Sequence, residues 1–215
     1  MAGKPTRRQE YARATRQAIV DAARTLFARR GYFATRVEDI AEEARVAPAT
    51  VYAVAGGKQG LLQTLMETWT LDPIVAVTLR KIRAMDDPAG IVRLVAAVSR
   101  QMRESFSDVM RVMLSTAPHD ADVARQLRTA TSRYRKFFFP VSRRLSKLDA
   151  LLHGMTVEEA VDVFWFYFGY SSYFTLHDDN GWSYERAERW LGDRACQALL
   201  RPAATRSRTG SPAER

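Results

Sequence analysis

Between its two ends the chain carries apolar residues at helical spacing in almost every segment, and no run alternates like a strand. That pattern confines 215 residues to an all-helical architecture. Ile19, Ala22, Ala23, Leu26 and Phe27 form an i, i+3, i+4, i+7, i+8 stripe, and Gly31 ends it after Arg29 and Arg30. Thr35-Arg36-Val37-Glu38 has the form of a capping box, so a second, short helix is expected to start at Thr35 and bury Val37, Ile40, Ala41 and Ala44. A tight connection follows at Arg45-Val46-Ala47. Pro48 suits the first position of a third helix that runs to Val54 and stops at Gly56-Gly57. A fourth opens near Lys58, with Leu61, Leu62, Leu65, Met66 and Trp69 inward.

Beyond these the helices lengthen. Asp72-Pro73 marks a break, and Asp87-Pro88 starts a helix with Ile91, Leu94, Val95, Val98 and Met102 inside. Met110, Met113 and Leu114 are placed on a separate short helix closed by Pro118. A long helix carries Val123, Leu127, Ala130, Tyr134, Phe137, Val141, Leu145 and Leu148, with a kink expected at Pro140. A second capping box, Thr156-Val157-Glu158-Glu159, opens a helix expected to reach about His177. Asn180-Gly181 turns the chain, and Ser183 caps a last helix ending near Leu200.

The formal charge is +9, from 33 Lys+Arg against 24 Asp+Glu, which favours polyanionic partners. The lone Cys196 allows no internal disulfide, and residues 1–16 lack the apolar core of a signal peptide, so a cytoplasmic location is expected. The most apolar stretch, residues 161–176, is too short to span a bilayer comfortably, and no membrane partner is expected. Residues 1–12 are expected to form a flexible basic arm and residues 201–215 a disordered basic tail. Between them, residues 13–57 make a DNA-binding unit and residues 58–200 a larger helical domain.

Two short helices joined by a tight turn, with a helix before them, match a helix-turn-helix. Its second helix enters the major groove and presents its N-terminal residues to base edges. The ordered stretch Phe33-Ala34-Thr35-Arg36-Val37-Glu38-Asp39-Ile40-Ala41, then Ala44-Arg45-Val46-Ala47, Thr50-Val51-Tyr52, Lys58 and Leu61-Leu62 resembles the tetracycline-repressor-like (TetR, AcrR-type) family of transcriptional regulators. The likeness covers roughly residues 13 to 70. It implies phosphate contacts at Thr35, Tyr52 and Lys58, the last at a helix N-terminus. The chain departs from the family pattern at Arg45, where Gly is usual, at Ala47, where Ser caps the helix, and at Val54, where Phe is usual. Losing the cap costs about 1 kcal/mol. The outward positions Pro48, Ala49, Thr50 and Ala53 hold no Arg, Asn or Gln for bidentate base readout. Sequence choice is therefore expected to rest on Arg36, Arg45, the arm residues Arg7, Arg8 and Arg13, and DNA shape.

The helix over residues 156–177 is apolar nearly all round, so it needs partners on more than one face. The expected second partner is its counterpart in another subunit. The expected interface is Phe166, Gly169, Tyr170 and Tyr173, with Ala187, Leu191, Ala195 and Ala198 of the last helix. The resemblance further implies a homodimer on a palindromic or near-palindromic duplex operator, acting as a repressor released by a small apolar effector. An activator or a ligand-independent regulator of the same fold is the alternative. Candidate pocket residues are Trp69, Met102, Phe106, Met113, Tyr134, Phe138 and Trp165. An enzyme is not expected: there is no Gly-rich phosphate loop, no G-x-S-x-G and no paired Cys. His119, His153 and His177 are too scattered for a metal site, and no cofactor is expected.

Overall fold

The computed structural model describes residues 6–202, and the only pairing outside helices among them is an isolated bridge between Leu151 and Leu200. Ten α-helices follow one another. The first four are α1 (Arg7–Arg30), α2 (Val37–Glu43), α3 (Pro48–Ala55) and α4 (Lys58–Thr70). After them come α5 (Ile74–Arg83), α6 (Pro88–Thr116), α7 (Ala121–Lys147), α8 (Val157–Phe168), α9 (Tyr170–Phe174) and α10 (Tyr184–Leu199). A 3₁₀ turn (Ala117–His119) precedes α7, and a π turn (Thr175–Asp179) follows α9. The breaks at Asp72-Pro73 and Asp87-Pro88 and the capping box at Thr156 stand where the sequence places them.

Residues 7–12 are not a flexible arm. Thr6 and Gln9 close a reciprocal capping box, Thr6 N–H donating to Gln9 Oε1 (2.9 Å) and Gln9 N–H to Thr6 Oγ1 (3.3 Å). This starts α1 at Arg7, and the helix buries nothing before Ile19. Its leading twelve residues therefore project about 18 Å as a rod. Residues 1–5 of the expected arm, and the expected tail from residue 203 on, lie outside the described residues. Arg201 is tied down, its Nε–H donating to Leu151 O and an Nη to Asp149 (both 2.8 Å).

Two further expectations change. The separate short helix at Met110–Leu114 does not exist, because α6 runs unbroken for 29 residues and keeps one buried stripe through Met102, Phe106, Val109, Met110 and Met113. No Gly or Pro interrupts residues 91–116. Helix α7 stays continuous through Pro140. The helix expected to reach His177 ends at Phe168 instead. Gly169 turns extended there (φ −66°, ψ −177°) before the one-turn α9. A Cβ on Gly169 would stand 2.4 Å from Trp165 O, so the break admits only glycine.

Two hydrophobic cores result. One joins Ile19–Phe27 of α1, Ile40, Val51 and Leu61–Trp69 to Met102–Met113 of α6 and Val123 and Ala130 of α7. The other packs α10 onto α6, through Ala187, Leu191, Ala195 and Leu199, together with Phe138, Phe164 and Phe168. Gly192 allows the α10–α6 approach: its Cβ would already be 3.3 Å from Ala96 Cβ. The N-terminal unit thus shares a core with the larger domain. The Arg24 guanidinium reinforces the junction with two bonds to Asp108 (2.6 and 2.8 Å) and one to Ser105 O. Partial burial alone would raise the Asp108 carboxyl, but its bonds to Arg24 and to backbone N–H groups outweigh it and hold the group below the ordinary carboxylate range.

Candidate nucleic-acid interface and interior cavity

Helix α3 is anchored by fully buried Val51 and by Arg16, whose Nη1 donates to Val54 O (2.9 Å) from α1. Sequence reasoning missed that tie. Pro48, Ala49 and Ala53 are exposed and Thr50 is half-buried, so the outward face is as bare in space as it is in sequence. Ala47 caps α3 without a side-chain bond. Arg45 closes α2 in the left-handed region (φ 55°), its N–H on Glu42 O, which costs a non-glycine residue about 1–2 kcal/mol. Its side chain is exposed beside the turn.

Thr35 is not the cap of α2 and does not face solvent. It is 1% exposed, and its hydroxyl donates to Gly31 O (2.8 Å), sealing the end of α1. The N-cap is Arg36, one residue on, whose N–H donates to Asp39 Oδ2 (2.8 Å); Asp39, rather than Glu38, supplies the reaching carboxylate. The register shifts as the buried Thr35 hydroxyl is committed to Gly31 O and so is not free to cap α2. The exposed side chain at the start of α2 is therefore Arg36.

Tyr52 is 54% exposed, and its ring lies against Gly57, where a Cβ would meet Cε1 at 3.1 Å. Gly57 also has φ 85°, so the turn into α4 needs glycine twice over. Lys58 stands at the first position of α4 with its ammonium 4.5 Å from the Tyr32 ring centre. Partial burial lowers its pKa from the usual lysine value. Arg36, Arg45, Tyr52 and Lys58 are thus reachable by a phosphate backbone, with Arg7, Arg8, Arg13 and Arg16 along the α1 rod.

Inside the larger domain, α4, α5, α6 and α7 border a cavity of about 60 Å³ beside Trp69, Val75, Val98, Ser99, Met102, Arg133, Tyr134 and Phe137. That volume has room for a few waters at about 10–15 Å³ each, against roughly 300–1,000 Å³ for a drug-sized site. Of the expected pocket residues, Trp69, Met102 and Tyr134 line it. Phe106 and Met113 belong to the shared core, Phe138 stacks on Phe164 (5.4 Å, 4°), and Trp165 stands edge-on to Tyr134 at 5.6 Å. Phe137, which the sequence places on the inward stripe of this helix, takes the cavity position expected of Phe138.

Most of the expected interface turns inward. Tyr173 is fully buried with its hydroxyl 3.2 Å from Ala96 O, and Tyr170 bonds Thr131 (3.2 Å). Burial raises both phenols, Tyr170 to about 12. Ala187, Leu191 and Ala195 are consumed by α6, and buried Gly169 serves the helix break. Phe166 (72% exposed) and half-buried Ala198 remain available, joined by Trp190 (43% exposed). Among the described residues no group of three His, Cys, Asp or Glu could hold a metal, and no helix is long and apolar enough to cross a membrane.

Residues 7–70 thus form a helix-turn-helix unit docked on a larger helical domain. Residues 19–65 match the family described as "Bacterial regulatory proteins, tetR family". The likeness to that family is carried by this N-terminal domain. It is 43% identical over 54 residues to the HTH-type transcriptional regulator YvkB of Bacillus subtilis (strain 168), a match spanning 25% of this chain and 29% of that regulator. The whole fold resembles a TetR-family transcriptional regulator from Mesorhizobium loti MAFF303099 (20% identity, 90% of this chain and 96% of that one, TM-score 0.69). It also resembles the transcriptional regulator FadR from Bacillus subtilis, solved with stearoyl-CoA (15% identity, 85% and 98%, TM-score 0.70).

Proposed function

We propose that the chain is a transcriptional repressor that binds a palindromic or near-palindromic duplex as a homodimer and is released by a small apolar ligand. One observation carries this reading: α4 begins at Lys58 on the outward side of the helix-turn-helix and its last turn places Trp69 and Thr70 on the cavity wall. A ligand that spreads the cavity moves Trp69, which also packs edge-on to Tyr170 at 5.6 Å, and so moves the base of α4. Two recognition helices must reach groove faces about 34–36 Å apart or a multiple of that, so a small change of tilt misaligns them. The phosphate grip falls to Arg36, Tyr52 and Lys58, with Arg45 and the α1 rod flanking. Base choice rests on Thr50, the apolar Pro48 ring, the Ala49 methyl group and duplex shape.

The dimer forms through the outer faces of α8 and α10, where Phe166 and Trp190 lie exposed on adjacent helices. The relative solved with stearoyl-CoA supports a ligand-responsive domain of this shape. Selection from random duplexes tests the reading. The expected product is a pair of inverted half-sites bound with a steep loss of affinity in salt. A compound screen on that duplex then asks for release. Failure to enrich any duplex would end the proposal, and enrichment of a single half-site by a monomer would end its dimeric part.

A further inference from the structure

Arg103 is fully buried in the middle of α6, and it takes part in no ion pair among the described residues. One Nη donates to Phe168 O (3.1 Å) and Gly169 O (2.9 Å), the other lies 3.0 Å from Met110 Sδ, and Nε–H has no partner. The rings of Tyr134, Tyr170, Tyr173 and Phe174 stand 5.6–5.8 Å away. Carbonyls and ring faces ease a buried cation but do not neutralise it. A full positive charge with a free donor is thus stored in a low-dielectric interior.

The charge lies next to the cavity. Ser99 and Met102 line the cavity, one turn and one residue before Arg103 on α6. Tyr134 also lines it while its ring faces the guanidinium, and its hydroxyl donates to the same Phe168 O (2.7 Å) that Arg103 holds. Tyr134 is therefore the side chain standing between the apolar cavity and the cation.

We propose, resting on the effector reading above, that the effector is an amphiphilic monocarboxylate. Its apolar body enlarges the cavity among Trp69, Val98, Met102 and Phe137. Its carboxylate displaces Tyr134 and pairs with Arg103. A planar carboxylate suits the free Nε–H beside an Nη donor, and its single negative charge cancels the single buried cation. Arg133, an exposed residue on the cavity wall with an Nη 3.2 Å from Thr70 Oγ1, is the competing anchor.

The test measures binding to the full chain by calorimetry, using matched pairs: 2-naphthoate against 2-naphthamide, and decanoate against decanol. The wild type is expected to bind each carboxylate about tenfold or more tighter than its neutral partner, the worth of one charge-assisted bond. Arg103→Met abolishes that preference and leaves the neutral compounds unchanged, whereas Arg133→Met keeps it. Should Arg103→Met fail to fold by circular dichroism, Arg103→Lys must weaken the carboxylates about tenfold and spare their partners. Equal binding within both pairs overturns the assignment. So does a preference that survives the Arg103 variant or disappears with Arg133. Neutral compounds that bind as tightly as their carboxylates and release DNA would leave the effector reading standing while the anion assignment falls. If no member of either pair binds, the assignment also falls, and the compound screen alone then judges the effector reading.

Discussion

Replacing Thr35 by Val removes one hydroxyl from beneath the end of α1 and leaves the side-chain volume almost unchanged. The bond to Gly31 O (2.8 Å) is lost, while the longer approach to Leu26 O (3.4 Å) adds little. Gly31 is exposed, so water can take over part of its carbonyl, and the expected cost is about 1 kcal/mol, the low end for an orphaned acceptor. For a chain of this size that lowers Tm by about 2–4 °C. Calorimetry gives Tm, and fluorescence anisotropy on a selected duplex at several salt concentrations gives the slope of log K against log salt. The slope should match wild type for Thr35→Val, whereas Lys58→Ala should reduce it by about one phosphate contact. An unchanged Tm with a shallower slope in Thr35→Val would refute the buried-cap assignment and return Thr35 to the DNA.

Phe166→Glu places a charge on the exposed outer face of α8 and should weaken dimerisation about tenfold or more by sedimentation, with the monomer's helicity retained. Gly169→Ala runs against the usual stabilising effect of Gly→Ala, because the new Cβ meets Trp165 O; a loss of about 1–3 kcal/mol is expected in denaturant titration, and a gain would disprove the steric account. Asp108 is held below the ordinary carboxylate range in the folded chain, so its contribution is complete above the unfolded carboxylate pKa and is lost as pH falls through the lowered folded value. Both partners are about a third exposed, so Asp108→Asn should remove under about 1 kcal/mol at neutral pH and flatten the acid limb of stability.

The helix-turn-helix was legible because local chemistry marks its ends: Pro48 at the first turn of α3, Gly56 and Gly57 after it, and Lys58 at the start of α4. Where two local patterns competed, only packing decided. Thr35-x-x-Glu38 and Arg36-x-x-Asp39 both fit the start of a helix, and the fit of Thr35 under α1 selected the second. Periodicity reported that the segment after Thr156 is buried all round but not by whom. Its own chain, through α6, α7 and α10, supplies most of that cover. Arg103 left a trace that the expected pocket residues did not include. It falls on the stripe Ser99, Met102, Phe106 and Met110, so the spacing alone puts a cation inside.

The shared core constrains how any ligand signal can travel. Side chains of α1 and α4 pack in one cluster with Met102–Met113, and Arg24–Asp108, Gln59–Asp122 and the Phe33–His119 edge contact (6.3 Å) pin the same junction. The DNA-binding unit is therefore not free to swing on a loose linker. Helix α6 carries Arg103 and, five residues or about 7.5 Å further along its axis, the Asp108 that grips α1. A pull on Arg103 thus acts on the helix that holds the other end of the junction, while α4 responds through Trp69. A hundredfold loss of DNA affinity needs only about 3 kcal/mol of preference for the misaligned state. Neutralising a buried cation is an interaction of that order, available only in the state where Tyr134 has moved aside.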